Sequence, residues 1–150
     1  MDYKSTNFNL VYNIFTLLTL INYAIKRDFL SITVRVKEPL TFWLNDLVRL
    51  GFIHSYKLVS QELVRRKGSV IRVLFVTITF KYYQNFSALK PFTLLSRPSH
   101  RVTITYKRLK ILCAREATPQ VYFLLSTSCG LMLHTTALHQ KLGGILIAKF

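Results

Sequence analysis

Acidic residues are scarce in this sequence of 150 residues. Six Asp and Glu stand against 21 Lys and Arg, so the formal net charge is +15 at pH 7. The carboxylates are scattered, and no pair has a spacing that suggests a shared acid–base site. An excess of cations this large is costly in self-repulsion unless a polyanion offsets it. RNA, DNA and an anionic membrane are therefore the candidate partners.

Cysteine and glycine are also few. Cys113 and Cys129 cannot supply a disulfide framework or a four-cysteine metal site. His134 and His139 are five residues apart, which does not place both on one face of a helix. No glycine-rich loop precedes a helix in the pattern that holds phosphate. The sequence thus predicts no enzyme, metal or cofactor, and a Cys129 nucleophile with His134 as its base is the enzymatic alternative.

The chain is not a disordered basic tail, because 51% of its residues are hydrophobic. Residues 5–25 carry no charge, and about twenty such residues can span a membrane. The Asn and Thr side chains in this stretch are costly in hydrocarbon. Apolar residues also recur at three- and four-residue steps from Leu10 to Ile21, as in a helix with one buried face. We therefore expect a buried amphipathic helix, with a small membrane-anchored protein as the alternative.

The hydrophobic pattern predicts an α+β fold in two small subdomains, residues 1–86 and residues 87–150. The predicted order in the first subdomain is α-β-α-β-β. After the first helix, its elements are a strand at 32–36, a helix from Pro39 to Gly51, and strands at 52–59 and 70–80.

The second subdomain is predicted to be β-rich with short helices, after a connector at residues 81–88. Gly143 and Gly144 are expected to form a tight turn before the closing strand. The other predicted elements are strands at 102–106, 121–125 and 145–150, and helical turns at 107–117 and 135–141, with a break at Pro119.

Basic residues are concentrated where few carboxylates can neutralise them. A first cluster, at residues 65–67, falls in a predicted loop. Guanidinium groups match two phosphate oxygens and ammonium groups supply point charge, so such clusters favour a polyanion over simple solvated charge. A second cluster comprises Arg97, Arg101, Lys107, Arg108 and Lys110.

Three hydroxyl residues enter a glycine turn at Ser126, Thr127, Ser128, Cys129 and Gly130. Hydroxyl groups both donate and accept hydrogen bonds, so they suit the ribose 2′-OH, phosphates and base edges of RNA. The same pattern also fits an ordinary turn in which the side chains bond to their own backbone. The spacing alone favours this second interpretation, in which the hydroxyls bond to the nearby backbone.

The segment 125–132, followed by Gly143, Gly144 and a final apolar strand, resembles the carboxyl-terminal motif of the universal ribosomal protein S8 family. The family usually has Lys where Cys129 stands. The resemblance extends from about residue 9 to residue 150. Further matches occur in the same order along the chain, at Leu50-Gly51-Phe52-Ile53, Lys81-Tyr82 and Ser96-Arg97-Pro98.

The resemblance implies a non-enzymatic protein of the small ribosomal subunit, with no small-molecule substrate. Such a protein binds a helix in the central domain of small-subunit rRNA and supports subunit assembly and translation. Neighbouring ribosomal proteins are expected partners, and one lineage-specific neighbour would contact the apolar first helix. The resemblance assigns RNA contact to Ser126, Thr127, Ser128 and Gly130, the neighbouring turn to Gly143 and Gly144, and supporting charge to Arg97 and Arg101.

The composition also suggests a cellular location. Phe and Tyr are plentiful, with 11 and 8 residues, whereas Gly has only 5, which is typical of an AT-rich coding genome. No Arg-rich amphipathic presequence is visible in the first residues. A ribosomal protein made inside a mitochondrion would need none. We therefore expect a mitochondrial ribosome, with a plastid or a bacterial cytoplasm as the alternatives.

Overall fold

The chain divides into two compact units, residues 1–91 and residues 92–150, each of which combines helices with antiparallel strands. The predicted α+β class is therefore confirmed. A computed structural model describes residues 5–11, 14–36, 41–64, 70–116 and 121–150.

The first unit is built on a four-stranded sheet in the order β1-β2-β4-β3. The pairing of β1 with β2 is parallel, and the other two pairings are antiparallel. Its elements are β1 (Ser5–Val11), α1 (Ile14–Lys26), β2 (Ser31–Val36), α2 (Thr41–Arg49), β3 (Ile53–Val64), β4 (Val70–Phe80), β5 (Tyr82–Tyr83) and β6 (Phe86–Ser87).

Residues 5–11 form a strand, so the prediction of a helix beginning near residue 5 is wrong for this segment. In the sequence, Phe8 and Leu10 alternate with asparagines at the period of a strand, and sustained helical spacing begins only at Ile14. The first unit therefore starts with β-α-β rather than with α-β. None of the helices within the described residues has the length and apolar content needed to cross a bilayer.

The core of the first unit lies between its sheet and its two helices. Gly51, at a φ of +80°, ends α2 as expected, because the Phe52 amide donates to the Leu47 carbonyl over 2.9 Å. The predicted start at Pro39 and the basic turn at 65–69 lie outside the described residues. Buried members of the core include Leu17, Leu18, Ile21, Ile32, Val34, Trp43, Leu44, Leu47, Val76 and Ile78.

The second unit contains a sheet in which β11 is the central strand. It pairs antiparallel with β7, β8 and β9, and β10 pairs with β9. The elements are β7 (Thr93–Leu94), β8 (Val102–Ile104), α3 (Tyr106–Arg115), β9 (Phe123–Thr127), β10 (Gly130–Leu133), α4 (His134–His139) and β11 (Gly144–Lys149).

One face of this sheet and the two helices enclose the core of the second unit. Its buried members include Leu109 of α3, Leu125 of β9 and Leu146 of β11. Tyr106, predicted to lie in a strand, instead begins α3. The predicted break at Pro119 lies outside the described residues.

Candidate nucleic-acid interface

The strands β9 and β10 form a tight hairpin whose turn is the centre of the predicted RNA loop. Thr127 pairs directly with Gly130, so Ser128 and Cys129 alone make the turn, and both are exposed. Gly130 has a φ of +106°, and a Cβ added there would meet no atom within 4 Å. Glycine is therefore needed at this position for its backbone conformation rather than for space.

The hydroxyl of Thr127 is used inside the turn. It donates to the Gly130 carbonyl over 3.0 Å and accepts from the Cys129 amide over 3.2 Å. Thr127 thus has the local, turn-shaping role that the pattern alone favoured. Within the described part of the chain, the hydroxyls of Ser126 and Ser128 have no hydrogen-bond partner, so they are available to a ligand.

The predicted tight turn at Gly143 and Gly144 is not found, because Gly144 is the first residue of β11. The chain reverses before them, at Lys141, which has a φ of +56°. The Leu142 amide closes this reversal by donating to the Ala137 carbonyl over 2.9 Å. The two glycines must therefore have another structural purpose.

That purpose is close approach between backbones. A Cβ on Gly144 would overlap the carbonyl oxygen of Ser126. A Cβ on Gly143 would lie 2.6 Å from the Ile104 carbonyl oxygen and 3.0 Å from the Tyr106 nitrogen. The glycine pair consequently lets the backbone pack closely against both the end of β9 and the start of α3.

The helix α3 presents one face to the core and the other to solvent. Leu109 is fully buried, and Leu112 and Cys113 pack against the same cluster. Burial, with the nearby Glu116 carboxylate as the smaller cause, raises the pKa of the Cys113 thiol. Three of the predicted RNA-binding residues lie on the exposed face, namely Lys107, Arg108 and Lys110.

The amino-terminal turn of α3 has unusual electrostatics. It contains Lys107 and Arg108 and no acidic residue, and Thr105 makes no side-chain cap. Cations here lie at the positive end of the helix dipole and are unfavourable in isolation. An incoming phosphate would be stabilised by both the cations and the free backbone N–H groups.

Arg97 and Arg101 belong to a separate turn of the second unit. Arg97 and His100 exchange backbone hydrogen bonds of 2.8 and 3.0 Å, and both arginines are exposed. The turn precedes β8, whereas α3 follows it, and three strand residues span about 10 Å. The three residues of β8 therefore separate this arginine pair from the start of α3.

A buried serine that the sequence pattern does not single out holds the arginine turn. Ser96 is the only buried polar residue recorded among the described residues. Its hydroxyl donates to the Leu146 carbonyl and accepts from the Val102 amide over 2.9 Å. The Leu-Ser-Arg-Pro sequence gives no indication of this role, since both partners are set by tertiary pairing.

Thr103 is a second residue that the sequence pattern does not single out. It pairs directly with Ile145, which in turn pairs with Ser126 on the next strand. Directly opposed residues share a face of the sheet, so the exposed Thr103 lies on the same face as Ser126. The alternation of Val102 and Thr103 predicts an outward side chain, but the register with β9 is not visible in the sequence.

The thiol-enzyme alternative is not supported by the geometry. Cys129 precedes β10 and His134 follows it, and four strand residues separate them by about 13 Å. The Nδ1 of His134 accepts a hydrogen bond of 3.1 Å from the Phe123 amide, and burial lowers the pKa of its ring. Within the described ranges, no group of three His, Cys, Asp or Glu could hold a metal ion.

Comparison with known proteins gives a match to a protein family. The family model described as Ribosomal protein S8 matches residues 13–150 of the chain. No curated protein matches the chain. The matched region includes the β9–β10 hairpin, the glycine pair and the whole of α3.

Proposed function

Because the chain belongs to the ribosomal protein S8 family, we propose that it binds a helix in the central domain of small-subunit rRNA and supports the folding of that domain during assembly. Membership of the family makes it a structural protein of the small ribosomal subunit and not an enzyme. The proposal is carried by one observation: the glycine pair lies against both the end of β9, at Ser126 and Thr127, and the cationic start of α3.

The charge distribution supports capture of a polyanion by the second unit. No Asp or Glu occurs between Glu62 and Glu116, so Lys107, Arg108 and Lys110 lie in a stretch of the sequence without acidic residues. Binding of phosphates by such a surface releases counterions, and its affinity falls steeply with salt. Arg97 and Arg101 would extend the same electrostatic contact from the other end of β8.

Recognition of RNA rather than of any polyanion would come from the hairpin. The hydroxyls of Ser126 and Ser128 can donate to phosphate or base acceptors and accept from a ribose 2′-OH. Thr127 and Gly130 set the shape of the turn that presents them. Cys129 stands where the family usually has Lys, so the turn contributes hydroxyls and backbone groups rather than an ammonium group.

The direct test measures affinity for a transcript of the central rRNA domain. We expect the double variant Ser126→Ala, Ser128→Ala to weaken binding by about 1–3 kcal/mol, because hydrogen bonds buried in the complex are removed. Thr135→Ala, which removes an exposed hydroxyl on α4, is the matched control. A transcript of another rRNA domain of similar length controls for non-specific binding. Unchanged affinity in the double variant would place the contact elsewhere.

The two cysteines provide a second readout that does not depend on substitution. Cys129 is exposed in the turn, whereas Cys113 is partly buried against the core and its raised pKa lowers its thiolate fraction. We expect iodoacetamide to alkylate Cys129 first, and bound central-domain RNA to slow that reaction. Equal alkylation of Cys129 with and without RNA would contradict the proposed interface.

We further propose that the ribosome in question is mitochondrial, on the support of the Phe- and Tyr-rich, Gly-poor composition. A plastid or bacterial cytoplasm is the alternative. Gradient sedimentation of isolated organelles should find the chain with the mitochondrial small subunit.

Two finer parts of the prediction also stay proposals. One is a subdomain beginning at residue 87 that makes the main RNA contact. The other is a lineage-specific protein neighbour for α1, whose exposed residues are Thr16, Thr19, Tyr23 and Lys26. Cross-linking within the isolated subunit would identify that neighbour.

A further inference from the structure

The hairpin of β5 and β6, predicted as a connector, displays two aromatic side chains in the first unit. Tyr83 is 71% exposed and Phe86 is 78% exposed, and the two residues pair directly across the hairpin. They are the most exposed of the large hydrophobic residues recorded for the described ranges. Paired aromatic rings in water at this level of exposure indicate a binding surface.

The hairpin holds these rings in a preformed arrangement. Gln84 and Asn85 have φ values of 49° and 68°, as in the two-residue turn that matches the twist of paired strands. The Tyr82 hydroxyl donates to the Phe29 carbonyl over 2.7 Å, which ties the hairpin to the chain after α1. Directly opposed side chains have Cβ atoms about 5 Å apart and share one face of a hairpin, so Tyr83 and Phe86 present their rings on the same side.

The charges around the hairpin favour an anionic partner. Lys81 and Lys90 flank it and are exposed, and the acid-free stretch between Glu62 and Glu116 contains all of it. Aromatic rings combined with cations are what single-stranded RNA-binding surfaces use, because every base has a π-face that can stack. A protein partner with an apolar pocket would not require aromatic residues at these two positions, because aliphatic side chains would fill such a pocket equally well.

We propose that Tyr83 and Phe86 stack on unpaired RNA bases and form an RNA contact in the first unit, separate from the Ser126–Gly130 loop of the second. This second contact rests on the proposed function in one respect, namely that RNA is the partner. The contact requires bases that are free of pairing, whereas the loop of the second unit would bind a helix.

The test uses the full chain and two probes, a labelled twelve-nucleotide oligouridine and a twelve-base-pair RNA duplex. The variant Tyr83→Leu, Phe86→Leu keeps apolar side chains but removes the π-faces. We expect it to bind the oligouridine about tenfold or more weakly, the size of one base–aromatic stack. Its affinity for the duplex and the salt dependence of both affinities should stay unchanged, because no cation is removed.

Two further variants control for folding and for general aromatic loss. Tyr83→Phe combined with Phe86→Tyr keeps both rings and should keep full affinity for the oligouridine. Tyr23→Leu removes an exposed ring of α1 that packs on Phe29 and Arg27, and it should also leave that affinity unchanged. A loss with Tyr23→Leu equal to that of the leucine double variant would overturn the assignment.

Photo-cross-linking locates the contact independently. An oligouridine containing 5-iodouridine should cross-link to Tyr83 or Phe86, and cross-links found only elsewhere would overturn the proposal. If the leucine double variant binds RNA normally but fails to enter the small subunit, the hairpin contacts a protein and the proposal is wrong. Ser126→Ala with Ser128→Ala should not affect oligouridine binding. The loop of the second unit and the aromatic hairpin of the first are therefore tested by different variants, and either proposal can fail without the other.

Discussion

Gly144 and Ser126 lie on neighbouring strands so close together that a side chain on the glycine would overlap the serine carbonyl oxygen. Backbone atoms cannot move aside as the end of a flexible side chain can. We expect Gly144→Ala to lower the free energy of unfolding by about 3 kcal/mol, measured by urea denaturation.

Gly130→Ala is the comparison for this prediction. It meets no atom and suffers only from the positive φ, so its loss of stability should be smaller, about 1–2 kcal/mol. Equal losses for the two variants would show that strands β9 and β11 separate easily to accommodate a methyl group.

Ser96→Ala should destabilise the second unit although it removes only one oxygen atom. The substitution leaves the Leu146 carbonyl and the Val102 amide without the hydroxyl that bonds both. We expect a decrease of about 1–3 kcal/mol in the free energy of unfolding and faster hydrogen exchange at the Val102 amide. Ser99→Ala, at an exposed position of the adjacent turn, should change neither quantity.

Acidification should weaken the second unit through His134. Burial lowers the pKa of His134 in the folded protein, so the unfolded chain binds the proton more readily. The stability that this residue contributes is therefore complete above the ordinary histidine pKa, about 6.5, and is lost as the pH falls through and below that value. Urea midpoints at pH 7.5 and pH 5.5 should show the decrease.

His134→Asn is the control, because its amide oxygen can accept from the Phe123 amide without titrating in this range. The variant should show a smaller difference between the two pH values. An identical difference in both proteins would remove His134 as the cause.

The first turn of α3 should affect stability and RNA affinity in opposite directions. Lys107→Gln with Arg108→Gln removes cations from the positive end of the helix dipole, so we expect the free protein to gain up to about 1 kcal/mol. The same variant should bind rRNA more weakly. The slope of its affinity against salt, on logarithmic axes, should become shallower by about 0.7–0.9 for each phosphate that is no longer neutralised.

Arg115→Gln is the matched comparison, since Arg115 lies in the last turn of α3 where a cation is favourable. It should reduce stability rather than raise it. A first-turn variant that loses stability as well as affinity would contradict the anion-site interpretation.

The sequence predicts elements well where the pattern is local. The alternation at Ile32, Val34 and Val36 and the glycine after α2 both give the correct elements, because period and cap are properties of adjacent residues. The helix predicted for residues 5–11 is wrong because the strand found there is stabilised by parallel pairing with β2, more than twenty residues later in the chain. The apolar residues with helical spacing lie mainly in α1, and residues 5–11 fit that spacing only when they are read as its continuation.

The composition of the candidate site is predictable from the sequence, but its assembly is not. The residues of the 126–130 loop form a turn as expected. Which hydroxyl bonds within the turn, that of Thr127, and which are left available, those of its two serine neighbours, depends on hydrogen-bond geometry. The glycine pair resembles a turn in sequence because its partners, near Ile104 and Ser126, are distant along the chain. The role of Ser96 is hidden for the same reason.

The central position of β11 has a consequence for the order of events during synthesis. β7, β8 and β9 all pair with β11, yet it is made after each of them. A nascent chain interrupted before residue 144 would hold three strands without their common partner. The second unit therefore cannot complete its sheet until β11 has been synthesised, which is after every residue of the first unit.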